Sequence, residues 1–191
     1  MNILNTYKSI FGAAIALALA AFTFVSCDED LVYPEQSKLP PATYNTSEWD
    51  IAAYSTQEDQ DGEGPSPYGR AIAILDGNTD TFWHSCWNGC TPTVPHFISV
   101  DMKTEKEVAG FYLVQRQSLT RNIESLELLT SNDGSSWTSQ GVYTLEKIKS
   151  QQVLELNETQ TFRYYKMEIK SVFDGTNHAA LAELVPYISY N

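Results

Sequence analysis

Leu75-Asp76-Gly77-Asn78-Thr79-Asp80-Thr81-Phe82-Trp83-His84-Ser85 packs oxygen-bearing side chains, a turn glycine and two aromatics into eleven residues. Asp76, Asn78 and Thr81 stand close enough in sequence for one loop to present several hard oxygen donors to a single cation. Calcium takes about six to eight such oxygens, from carboxylates, amides and backbone carbonyls, and tolerates irregular geometry. Gly77 permits the tight backbone that such a loop needs. The same residues would also serve as a polar turn entering a buried strand through Phe82 and Trp83. The rest of the chain weighs between the two.

Beyond this segment the chain reads as all-β. Leu126, Leu128 and Thr130 alternate with Glu127 and Leu129 before Asn132-Asp133-Gly134, a strong turn signature. Tyr165, Met167 and Ile169 alternate with Lys166, Glu168 and Lys170, a period of two with one apolar face. No stretch after the leader carries a helical period over three turns. Many short strands punctuated by turns indicate a sandwich or jelly roll. Trp49, Trp83 and Trp137 are expected in its core, where their large area contributes much of the burial.

The order of these segments resembles the discoidin, or coagulation-factor type-C, domain family. After the opening stretch come Pro95–Met102, a strand ending near an acidic residue, and Phe111–Gln117, a strand delivering Arg116 to a loop end. Thr130–Trp137 holds the family's Ser-x-Asp-Gly-x-x-Trp turn, and Arg163–Ile169 and Ala180–Leu184 resemble its last two strands. Within that family the chain is most similar to family-32 carbohydrate-binding modules, including the N-terminal module of galactose oxidase, through Asp-Gly-Asn-x-Asp-Thr-Phe-Trp-His and Asp-Met-Lys-Thr. The resemblance implies an eight-stranded antiparallel jelly-roll sandwich over residues 46–191, with binding loops at one end.

It also implies two sites. A structural Ca²⁺ would be held by Asp76, Asn78, Thr81 and Glu183, with backbone oxygens of Ala73 and Ala182. Two carboxylates with several neutral oxygens suit calcium better than magnesium or zinc. A galactose-type sugar would be gripped by His84 and Arg116, with Trp87 as an aromatic face. Pyranose recognition calls for an aromatic surface against the ring and planar side chains that bond adjacent hydroxyls in pairs. The family's site asparagine aligns with Thr120, leaving Asn122, two residues on, as the residue that would have to reach the site. His178 and Phe173 are the candidates for a further late-loop contact. Each of these side chains also has an ordinary structural role open to it: Arg116 as an ion-pair partner, His84 as a satisfied loop residue, Trp87 as a packed aromatic.

The start of the chain has a different character. Residues 1–26 carry one basic residue, Lys8, followed by an apolar run from Ile10 to Val25 that is short for a membrane span and ends at Ser26-Cys27. This is signal-peptide anatomy. The cysteine at the cleavage point resembles a bacterial lipobox, which implies lipidation of Cys27, although Phe24 departs from the usual leucine-like residue. An ordinary signal peptide with Cys27 incidental is the other reading. Asp28-Glu29-Asp30 resembles the surface-export signal of Bacteroidetes lipoproteins, so the expected location is the outer membrane, at the cell surface. Residues 27–45 are acidic and then proline-containing, which suits an extended tether at about 3 Å per residue.

Removing residues 1–26 takes one of the 12 basic residues and none of the 24 acidic ones, so the net charge moves from −12 to −13. Such a surface excludes phosphate-backbone recognition, which rests on clustered Lys and Arg, and repels anionic lipid. No nucleic-acid partner is expected, and membrane contact only through acyl chains. With Cys27 set aside, Cys86 and Cys90 remain, four apart. In an exported protein a local disulfide is the expected pairing; a zinc site is the rival, without a supporting Cys/His set. No nucleophile motif, phosphate loop or metalloprotease signature occurs, so no catalysis is expected. The functional expectation is a non-catalytic surface lipoprotein that binds galactose- or N-acetylgalactosamine-type glycans, beside a glycan-processing or import partner. The alternative is an adhesion or scaffold domain contacting a protein through the same loops.

Overall fold

The computed structural model describes residues 42–59, 69–91 and 94–188, all within the unit Ser37–Asn191. The expected leader, Cys27 and most of the expected tether lie outside the described residues. Eight strands follow in chain order: β1 (Ala42–Thr43), β2 (Asp50–Tyr54), β3 (Trp83–His84), β4 (His96–Gln115), β5 (Ile123–Ser131), β6 (Thr138–Thr144), β7 (Gln152–Val172) and β8 (Ala180–Ile188). Every pairing between them is antiparallel, in the order β1-β8-β4-β7-β5-β6, with β2 also on β4 and β3 also on β8. This is the eight-stranded antiparallel jelly roll expected from the sequence. Among the described residues the helical structure is one 3₁₀ turn, Ala71–Leu75.

The two long strands make the sandwich. Residues 96–101 of β4 pair with residues 164–169 of β7, and 98–101 also with β2. Beyond two bulges, residues 110–113 pair instead with β8 and with residues 152–155 of β7. Each strand thus passes from one layer into the other, and the apolar residues of both halves face a shared interior. Bulges supply the bend that such a corner requires. Lys103, at the bend, adopts a left-handed φ of 68° while its N–H donates to Asp101 Oδ1 at 2.7 Å. The sequence reading treats Pro95–Met102 and Phe111–Gln117 as separate strands; β4 is continuous through both. Gly110 sits where the layers pinch, and a Cβ there would run into the Leu154 carbonyl and the Tyr187 ring.

Period-two alternation places the core. Leu126 and Leu128 of β5 and Tyr165, Met167 and Ile169 of β7 are buried, and they meet Ile98, Val100, Phe111 and Leu113 of β4 and Leu181 and Leu184 of β8. Each such side chain contributes roughly 1.5–3 kcal/mol on burial. Trp49 and Trp83 are in this core, and the Trp83 indole N–H donates to the Thr56 carbonyl at 2.9 Å. Trp137 is not: it is half-buried at the end of the β5–β6 turn, with the Lys166 ammonium 4.4 Å from its ring centroid. A turn tryptophan with a lysine beside it keeps its face at the surface, where a cation–π contact replaces burial. The turn itself is tied by Asp133, whose carboxylate accepts the N–H groups of Ser135 and Ser136 at 2.8 and 2.7 Å.

Candidate functional site

Four chain segments converge on the start of β8. His84 is the cross-strand partner of Ala180, and Asn122 bridges to Ala180 from another side. The Ala180 N–H donates to the Arg121 carbonyl at 2.8 Å, and Ser85 and Ala179 exchange hydrogen bonds of 2.9 and 3.0 Å. Gln115 registers with Leu181, so Arg116 emerges from β4 at the same end. The topology therefore gathers His84, the pair Arg116 and Asn122, and His178 from three separate stretches of the sequence.

Each is held by its own contacts. The His84 Nδ1 lies 2.6 Å from the Ser85 carbonyl oxygen, which can only accept, so the ring carries its proton on Nδ1. Its ring faces that of His178, centroids 6.1 Å apart. The His178 Nδ1 is buried without a hydrogen-bond partner, and burial, followed by the nearby Arg121 and His96, lowers its pKa and keeps it neutral. Arg116 is buried, its guanidinium carbon 4.0 Å from the centroid of the Phe82 ring, a stacking that fixes the fork in direction. Asn122 is 1% exposed; its Nδ2 donates to the Arg116 carbonyl at 3.4 Å, and its Oδ1 has no partner.

The loop between Arg116 and Asn122 exposes Thr120 and buries Asn122. Leu119 and Arg121 both take left-handed φ values, 55° and 61°, and the Leu119 N–H closes a turn on the Arg116 carbonyl at 2.9 Å. Thr120 is exposed, its hydroxyl 2.9 Å from that of Ser118, while the turn delivers Asn122 inward. Phe173 is half-buried and meets Asn122 through its backbone N–H, 3.0 Å from the Asn122 carbonyl; His178 is the late-loop residue beside His84.

Trp87 stands three residues after His84 and is 48% exposed, one of the few large apolar side chains at the surface. Its loop is closed by a Cys86–Cys90 disulfide. Glu58, which the sequence reading passes over, is buried beneath it, and its Oε2 accepts the N–H groups of Trp87 and Asn88, both at 2.9 Å. One acid among several in a polar stretch gives no sequence signal of this kind, because its partners lie about thirty residues away.

The acidic loop folds on itself at the other side of Phe82. Asp76 accepts the Asn78 N–H through Oδ1 at 2.8 Å and the Thr81 hydroxyl through Oδ2 at 2.6 Å. The Thr81 N–H and hydroxyl also reach the Asn78 carbonyl, at 3.0 and 2.7 Å, and the Ala73 carbonyl accepts the Asp76 N–H at 3.4 Å. Glu183, on β8 next to the buried Ala182, is 6% exposed, and neither of its carboxylate oxygens has a hydrogen-bond partner. Burial, and then the adjoining Asp76, push its pKa up to about 8. Two carboxylates facing each other with neutral oxygens around them fit a hard cation, which would hold both in the charged form. Among the described residues no three His, Cys, Asp or Glu side chains group together as a metal-binding cluster.

With this geometry in view, the family follows. Residues 51–184 match the F5/8 type C domain. The chain belongs to that family. It is 32% identical over 114 residues to galactose oxidase from Gibberella zeae, an alignment covering 58% of this chain and 17% of that one. The F5/8 type C chain thus spans less than a fifth of the length of the curated relatives it matches. The C-terminal domain of a chitobiase from Bacteroides fragilis superposes with a TM-score of 0.68 at 30% identity, covering 76% of this chain and 96% of that one. The family 32 carbohydrate-binding module of Clostridium perfringens NanJ, solved in complex with galactose, shares the fold at a TM-score of 0.65 and 23% identity, covering 78% of this chain and all of that one.

Proposed function

We propose that this F5/8 type C domain is a non-catalytic glycan-binding module that takes galactose- or N-acetylgalactosamine-type termini at the site built from His84, Trp87, Arg116, Asn122 and His178. The observation that supports this most is the pair of buried, unpartnered polar atoms, Asn122 Oδ1 and His178 Nδ1, beside the stacked Arg116 guanidinium. Buried polar atoms are satisfied in native structures, and a ligand hydroxyl supplies what these two lack. Arg116 and His84 would hold adjacent hydroxyls, and the exposed Trp87 would cover the apolar face of the ring. Galactose in a module of the same fold, and galactose oxidase among the relatives, favour that sugar class.

Asp76, Asn78, Thr81 and Glu183, with the carbonyls of Ala73 and Ala182, would hold a structural Ca²⁺. That ion would tie the loop before β3 to β8 and so brace the strand from which the glycan site is built. The reading is completed by lipidation at Cys27 and display from the outer membrane by the segment that follows. A glycan array probed with the soluble domain in calcium tests it. Retention on terminal galactosides supports the reading, and a blank array from folded protein defeats it.

A further inference from the structure

Residues 56–58 form a splint along the segment that carries two of the candidate sugar contacts. The Thr56 carbonyl accepts the Trp83 indole N–H at 2.9 Å, and the Thr56 hydroxyl accepts the Cys86 N–H at 3.3 Å. The Glu58 N–H donates to the His84 carbonyl at 2.9 Å and is shared with Gly69 at 3.2 Å. The Glu58 carboxylate then reaches past His84 to take the N–H groups of Trp87 and Asn88. One residue thereby grips the chain on both sides of the interval between His84 and Trp87.

We infer that Glu58 is a positioning residue, which sets where the Trp87 platform stands relative to His84 and thereby the affinity of the site. The inference rests on the glycan-binding reading above. At 2% exposure Glu58 does not contact a sugar from solvent; it acts through the loop. A carboxylate accepting two backbone N–H groups forms charge-assisted bonds, roughly twice as strong as neutral ones. The loop needs such an anchor. Trp87 to Gly89 are exposed, and Gly89 adopts a φ of 73°, so packing supplies little to hold the turn. The disulfide closes this loop on itself, whereas Glu58 fixes the closed loop to the body of the domain. A platform that is ordered before the sugar arrives does not have to be ordered by it, and the saved entropy appears as affinity.

The test compares Glu58→Ala and Glu58→Gln with the wild type by amide hydrogen exchange and by galactose calorimetry. Glu58→Ala is expected to speed exchange at Trp87 and Asn88 at least about tenfold and to weaken the sugar by about tenfold or more, through lost acceptor and lost order. Glu58→Gln keeps an oxygen acceptor and is expected to recover most of both. The amides of Ile123 and Met167 and the Trp83 indole should be unchanged, which excludes general unfolding. Unchanged exchange at Trp87 and Asn88 in Glu58→Ala overturns the inference whatever the sugar does. Faster exchange with undiminished galactose affinity overturns it too. A wild type that binds no sugar defeats the glycan reading instead, and the exchange data still decide whether Glu58 is the anchor.

Discussion

The His84 and His178 rings face each other at 6.1 Å across the start of β8, one set by the pairing of β3 and the other by the loop that leaves β7. The distance leaves the two imidazoles close enough to line one small site, with the His84 Nδ1 proton held by the Ser85 carbonyl and burial lowering the pKa of His178. Neutral imidazoles can accept as well as donate, which suits hydroxyl groups better than anions.

Arg116 is the residue whose loss should matter most to binding. Its guanidinium is fixed over Phe82, so its hydrogen bonds to a sugar carry little ordering cost. Arg116→Ala should weaken a galactoside by about 30-fold or more, the scale of charge-assisted hydrogen bonds, and Arg116→Lys should recover little of it. Calorimetry on folded variants checks this; a protein-scaffold role predicts a small effect.

Trp87 should contribute through its face alone. Trp87→Ala should weaken the sugar by about 3- to 15-fold, while Trp87→Phe keeps most of the stacking. Because the side chain is 48% exposed, the melting temperature should hardly move in either variant.

The β4 corner offers a check on the fold itself. Gly110→Ala places a methyl against the Leu154 carbonyl and the Tyr187 ring, and overpacking of this kind costs about 1–3 kcal/mol. Thermal unfolding should fall by several degrees. An unchanged midpoint would mean that the two layers do not meet there as described.

Glu183 gives a pH signature. Its folded pKa of about 8 lies above the ordinary glutamate value of 4.5, so without a metal the native state binds the extra proton. The stability it contributes is full below about pH 4.5 and is lost as pH rises through about 8. In chelator, the melting temperature should therefore decline across that window, and Glu183→Gln should flatten the decline. Calcium should raise the melting temperature most at the alkaline end, where the ion meets a carboxylate that no longer has to release a proton. A melting curve indifferent to calcium at pH 8 would contradict the cation loop.

The alternating faces of β5 and β7, and the turn at Asn132-Asp133-Gly134, were legible because each is set by neighbours in sequence. So was the family, through Asp76–His84 and the strands that follow. The continuity of β4 was hidden, since a left-handed lysine at position 103 leaves no mark in composition. The inward turn of Asn122 depends likewise on left-handed Leu119 and Arg121. Trp137 misled because a tryptophan after a turn signature reads as core, and the Lys166 that stacks on it comes from another strand. Glu58 was invisible for the same reason: its partners are backbone groups of a distant loop.

The central claim is tested most directly by titrating galactose and N-acetylgalactosamine into isotopically labelled protein with calcium present, and following the amide and side-chain signals. The account predicts saturable shifts at His84, Trp87, Arg116, Asn122 and His178, with the rest of the sheet unmoved. Shifts confined to the separate cleft of about 310 Å³ lined by His96, Lys170 and Asn177, or no shifts at all at tens of millimolar sugar, would contradict it.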